Sequence, residues 1–155
     1  MDHLVWRLAA ILGALISSSA LAGASLYEES VLDLVWPRRP DIVRPIEGGA
    51  NRKLFWIPAD LIAILSLLAA TWAAWPLTDT RNAVLVGVGL YAINVGVSAV
   101  YFVPALLKVE RLGTQPDDPS SRAWVRRNRW RGAICVCATA ALSFAVASLV
   151  GVGQG

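Results

Sequence analysis

Residues 82–107 read NAVLVGVGLYAINVGVSAVYFVPALL, 26 residues without one Asp, Glu, Lys, Arg or His. A helix rises ~1.5 Å per residue and a bilayer's hydrocarbon core is ~30 Å thick, so this stretch can span it with residues to spare. Only helices and closed barrels satisfy their own backbone groups in lipid, and the period-2 alternation of a barrel strand is absent. Three more charge-free runs accompany it, at residues 8–27, 61–78 and 132–155. They predict spanning helices at about 5–27, 54–76, 83–108 and 130–151. The expected fold is an all-α integral membrane four-helix bundle, up-down-up-down, as a single domain over residues 1–155. Composition agrees: 56% of the 155 residues are hydrophobic, 16% are charged, and the mean hydropathy is +0.55. Such a chain is not disordered, and the apolar excess argues against a water-soluble domain.

The tryptophans support these boundaries independently. Trp6, Trp56, Trp72, Trp75, Trp124 and Trp130 cluster near the expected helix ends, where an indole keeps its ring among headgroups and its N–H wet. Orientation follows from the basic residues. Arg38, Arg39, Arg44, Arg52 and Lys53 lie in the first loop, and Lys108, Arg111, Arg122, Arg126, Arg127, Arg129 and Arg131 in the third; only Arg7 and Arg81 lie on the other side. Short basic loops stay cytoplasmic, so a cytoplasmic (inner) membrane location with both termini outside is expected. The net charge of +3 is then explained by loops facing anionic membrane lipid and requires no nucleic acid. Arg7, the apolar run and Ala20-Leu21-Ala22 before Gly23 also resemble a cleavable secretory signal. Cleavage would export the five basic residues of the first loop, against the charge rule, so four helices are preferred.

Polar groups at membrane depth are expensive, ~2.5–3.5 kcal/mol for a central Asp, Lys or Arg, so each needs a partner, a cavity or a task. Gly13, Ser17, Ala20 and Ala24 form a small-residue stripe that leads to Tyr27, Glu28 and Glu29, either wetted interfacial groups or part of a site. Asp60 lies near the start of the second helix after Pro58, as a capping carboxylate or a site residue. Tyr91, Asn94, Ser98 and Tyr101 follow at helical spacing, as interhelical glue or a pocket wall. Trp124, Asn128, Arg131 and Cys135 lead into the last span; Arg131 either snorkels to headgroups or turns its fork of donors to a carboxylate or ligand. Glu28, Asp60, Tyr101, Asn128 and Arg131 all fall within about two turns of one membrane face. Cys135 and Cys137 point about 200° apart on a helix and read as free. The lone His3 leaves no His-rich metal constellation, and no metal ligands are assigned. Ser-His-Asp and Cys-His catalysis lack members, and no phosphate-cradling Gly loop occurs.

Several of these segments resemble a family of small bacterial four-helix membrane proteins grouped with the anthrone oxygenases, much of it a domain of unknown function. The similarity lies in Ala22-Gly23-Ala24-Ser25-Leu26-Tyr27-Glu28, Phe55-Trp56-Ile57-Pro58, Val100-Tyr101-Phe102-Val103-Pro104, and Trp124 with Asn128 and Arg131, and it runs over most of the chain. The named enzymes of that family oxidise tricyclic anthrones to anthraquinones with dioxygen, so the resemblance implies a small aromatic or quinone-like substrate. The first expectation is therefore a membrane oxygenase or related oxidoreductase, a cofactor-independent monooxygenase in the simplest form. Its substrate is a lipophilic anthrone-, phenol- or quinone-like compound. Glu28 or Asp60 would be the base; Arg131, Asn128 and Tyr101 would hold the developing phenolate; Tyr27, Trp56, Asn94 and Ser98 would complete the pocket. No residue pattern names a redox cofactor. The alternative is a non-catalytic membrane protein that binds a lipid, a quinone or a partner protein. Exposed apolar faces allow a homo-oligomer, and a drug exporter would want its carboxylate nearer the midplane.

Overall fold

A computed structural model describes residues 2–112, 116 and 118–152 of the chain. Helix α1 (Asp2–Tyr27) continues through a π-helical turn, Glu28–Leu32, into a last α-helical turn, Asp33–Val35. Helix α2 is Lys53–Ala74. Helix α3 (Thr78–Val97) passes through a second π-helical turn, Ser98–Phe102, into α4 (Val103–Leu112). Helix α5, Pro119–Val152, is the longest. Four rods, His3–Val35, Lys53–Ala74, Thr78–Arg111 and Pro119–Gly151, are long and apolar enough to cross a membrane. The protein is thus an all-α membrane four-helix bundle, and no strand occurs among the described residues.

Three rods outrun the expected helix bounds, because a helix continues into water wherever a cap and its own hydrogen bonds sustain it. The clearest case is α5, which begins at Pro119 rather than near residue 130. Asp118 accepts the Ser120 N–H at 2.7 Å, and Pro119 takes the first helical position, where a missing N–H costs nothing. The Ser120 hydroxyl, and then its N–H, hold the Asp118 carboxyl below the usual range.

The rods form a closed ring in which α1 touches α2 and α5, and α3 touches α2 and α5. In lipid the apolar side chains gain little by leaving the solvent, so close backbone approach has to bring packing energy instead. The buried core accordingly mixes Ile11, Leu67, Val84, Leu142 and Leu149 with Ala14, Ala63, Ala70, Ala73 and Ala145. Gly87 is one point of approach: a Cβ there would lie 3.1 Å from the Leu142 side chain. The seam between α2 and the α3–α4 rod is the loosest of the four.

The buried stripe of the first rod is Ile11, Ala14, Ser18, Leu21, Ser25 and Glu28, with Ala22 buried beside it, one position away from the expected Gly13, Ser17, Ala20 and Ala24. Small residues occupy both adjacent faces. Ile11 and Leu21, which fill the core, decide between them.

Each π-helical turn changes the phase of the helix beyond it. A seven-residue α-helical step would align Tyr101 with buried Asn94; the extra residue holds the chain back by roughly 100°, and Phe102 takes the inward place. Val103 N–H correspondingly reaches back to the Ser98 carbonyl. Pro104 gives a reason: it has no N–H for the Val100 carbonyl and its ring would crowd that oxygen, a conflict the wider turn relieves. In α1 the same shift makes Asp33 the buried residue.

The loop after α1 folds back under the bundle. Two 3-10 turns, Pro40–Val43 and Pro45–Glu47, are followed by Gly48 at φ 84°, a left-handed conformation that favours glycine. Trp36 and Val43 pack against Phe102 and Trp124, with Trp124 edge-on to Trp36 at 5.4 Å and to Phe102 at 5.3 Å. An exposed Arg39–Asp41 pair braces the turn; the Arg39 side chain holds the Asp41 carboxyl below its ordinary range.

Candidate functional site

At the end of the bundle that carries the basic loops, a cavity of about 420 Å³ opens in the loose seam between α2 and the α3–α4 rod. This is the size of a small-ligand pocket, ~300–1,000 Å³. Ile57, Val95, Phe102, Val103, Leu106 and Leu107 make its walls apolar, and Glu28, Arg52, Asp60, Asn94 and Arg131 supply the polar groups. Exposed Ile57 and Val103 stand at its rim.

Glu28 opens the π-helical turn of the first rod and is only 6% exposed. Its Oε1 accepts the Trp56 indole N–H at 3.1 Å and lies 3.7 Å from Arg52 Nε. The second distance is an ion pair without a hydrogen bond. Arg52, immediately before α2, is 8% exposed, and its guanidinium lies 5.5 Å from the Trp124 ring centroid. Its Nε and Nη2 have no hydrogen-bond partner. Arg131 does not reach for headgroups: its guanidinium lies 5.1 Å from each of the Trp56 and Phe102 rings, a cation–π arrangement. Lys53 Nζ meets Glu110 at 2.5 Å, tying α2 to α4 beside the cavity.

Asp60 and Asn94 complete the wall. The Tyr91 hydroxyl donates to Asp60 Oδ1 at 2.7 Å, so Asp60 cross-links α2 and α3 as well as lining the cavity. It sits inside α2 rather than capping it, because the helix already begins at Lys53. Buried Asn94 leaves its Oδ1 unpaired, while its backbone carbonyl accepts the Ser98 hydroxyl at 2.7 Å.

Of the residues singled out in the sequence, Glu28, Asp60, Arg131, Trp56, Asn94 and Ser98 meet around this cavity. Three others go elsewhere. Tyr27, 57% exposed, faces out of the bundle. Asn128, 1% exposed, gives its Nδ2 to Asp33 Oδ2 at 2.9 Å, so it ties the first rod to α5 and does not line the cavity. Asp33, 3% exposed, also accepts the Trp36 indole N–H at 3.1 Å. Tyr101 has turned to a second cavity of about 350 Å³, with the Arg127 guanidinium 4.5 Å from its ring centroid. Arg52, Leu106 and Trp124 line both cavities and form the partition between them. Arg52 was not expected here, since it reads as one more charge of a basic loop; Trp56 four residues on, at helical spacing, is the sequence feature that places it. Cys135 and Cys137 are free, and Ser25 Oγ lies 4.0 Å from Cys135 Sγ.

Compared with models of known protein families, with curated proteins and with solved structures, the chain matches none. Its chemistry therefore rests on the cavity itself. A buried carboxylate beside an apolar chamber can accept a proton, guanidinium groups can hold an oxyanion, and the aromatic rings can stack against a flat ligand.

Proposed function

We propose that the protein is a cytoplasmic-membrane oxygenase for a small, flat, lipophilic aromatic compound of the anthrone, phenol or quinone kind, taken from the bilayer through the seam between α2 and α4. The observation that carries this reading is the buried Glu28 carboxylate at the wall of a cavity that also holds Arg131 and a largely apolar lining. The resemblance to the anthrone oxygenase family supports the substrate class. In the proposed reaction Glu28 takes a proton from a ring CH₂ conjugated to a carbonyl, and the electron pair spreads to the carbonyl oxygen as a phenolate. Arg131, held between Trp56 and Phe102, stabilises that oxygen. The electron-rich carbon reduces dioxygen and combines with it, and the hydroperoxide loses water. The balance is CH₂ + O₂ → C=O + H₂O. Asp60 has a lesser part, because its bond to the Tyr91 hydroxyl ties α2 to α3. The basic end faces the cytoplasm, and both termini face out.

The test is oxygen uptake with anthrone by the purified protein in lipid nanodiscs. Loss of a general base typically costs about 10²–10⁴-fold, so Glu28→Gln drops turnover by about a hundredfold or more. Asp60→Asn has a smaller effect. Unchanged turnover in Glu28→Gln, or no binding of any anthrone, quinone or phenol, overturns the reading. One observation favours ligand binding without turnover: Glu28 Oε1 is already committed to the Trp56 indole. Anthrone binding with no oxygen uptake selects that alternative.

A further inference from the structure

The second cavity, of about 350 Å³, lies on the loop side of the Arg52, Leu106 and Trp124 partition. Its wall carries two buried polar side chains with hydrogen bonds unmade. Ser121, 1% exposed, has no partner for its hydroxyl, and Arg52 has none for Nε or Nη2. Both line this cavity, and Arg52 lines the first as well. The nearby carboxylates do not complete them. Asp118 is engaged by the N–H and hydroxyl of Ser120, and Glu28 Oε1 stays 3.7 Å from Arg52 Nε. Unmet donors in a buried site are costly, and a buried guanidinium is especially so. A ligand oxygen carrying negative charge would supply what is missing.

We infer that Arg52 and Ser121 form an oxyanion site at the junction of the two cavities, which takes a carboxylate or a second phenolate oxygen, apart from the one at Arg131, of an aromatic ligand whose rings lie in the first cavity. The inference rests on the aromatic-ligand reading above and narrows it to acidic aromatic compounds. The guanidinium presents a planar fork suited to such an oxygen, which a flexible ammonium group does not. Trp124, one helical turn from Ser121 on α5, lies against that guanidinium and limits its movement. The ligand therefore lies lengthwise across the partition, with its acidic end toward the loops.

Binding of anthracene-9-carboxylate and of its uncharged analogue 9-methylanthracene tests this, by fluorescence titration of the protein in phosphatidylcholine nanodiscs with empty nanodiscs subtracted. The carboxylate binds about tenfold tighter or more, as a charge-assisted pair implies. Arg52→Gln abolishes that advantage, read as the ratio of the two affinities within the variant. Ser121→Ala weakens the carboxylate several-fold without lowering the thermal unfolding midpoint, because its hydroxyl bonds nothing in the protein. If Arg52→Gln does not fold, Ser121→Ala decides. Equal binding of both probes, or a preference that survives both substitutions, overturns the oxyanion site and leaves the aromatic cavity standing. Failure of both probes to bind overturns the two together. Binding of the carboxylate alone supports the oxyanion site.

Discussion

Asp33 and Asn128 show how a single side-chain pair is set by the wide turn before it. Residues five apart on an α-helix point about 140° from each other. The π-helical turn from Glu28 to Leu32 brings Glu28 and Asp33 to the same side of the rod, and both are buried. Asn128→Ala leaves Asp33 Oδ2 without its donor. It should lower stability by about 1–3 kcal/mol, read as a fall in the unfolding midpoint in detergent. Asn128→Asp, which sets two carboxylates face to face, should cost more. The cap of α5 responds to acid instead. Because the Asp118 carboxyl is held below its ordinary value by Ser120, its stabilisation is full above the unfolded carboxyl range and disappears as pH falls through the lowered value. Ser120→Ala should shift the Asp118 titration upward, so the cap is lost at a higher pH; carboxyl-carbon NMR through that range reads the change.

Among the elements, the two rods with wide turns separate what the sequence states from what it withholds. Four charge-free stretches declare four helices, because in lipid each must satisfy its own backbone groups and none alternates as a barrel strand does. Trp124, Asn128, Arg131 and Cys135 keep their spacing because α5 is unbroken. Beyond Ser98 and beyond Glu28 the phase is different, and a pattern read at 3.6 residues per turn assigns Tyr101 the place that Phe102 holds and misses Asp33. In the third rod, Pro104 is the visible warning. Pro104→Ala removes the reason for the wide turn, so that stretch should tighten to α-helix and turn residue 101 inward. Cysteine labelling should then show residue 101 more protected, and residue 102 less, than in the parent. Gly87→Val presses on Leu142 where α3 meets α5; overpacking of this kind costs about 1–3 kcal/mol and should appear as an equal loss of unfolding stability.

For the whole molecule, the membrane orientation has a direct check. With Cys135 and Cys137 replaced by Ser, Asp79→Cys should react with an impermeant maleimide on intact cells, and Glu47→Cys only after permeabilisation. The reverse pattern would invert the topology. Much of the site follows from depth alone: Glu28, Asp60 and Arg131 share a membrane level by residue count, and the bundle brings them to one cavity. Lateral arrangement does not follow from depth: Arg52 folding inward shows in the sequence only as its helical spacing to Trp56, and no spacing turns Tyr27 outward. Because the loosest seam of the ring, between α2 and the α3–α4 rod, holds a cavity with an apolar rim, an acyl chain or a detergent tail can fill it when no aromatic compound is present. An affinity measured in micelles is then the outcome of a competition. It should weaken as free surfactant rises, while the same titration at fixed lipid composition holds steady.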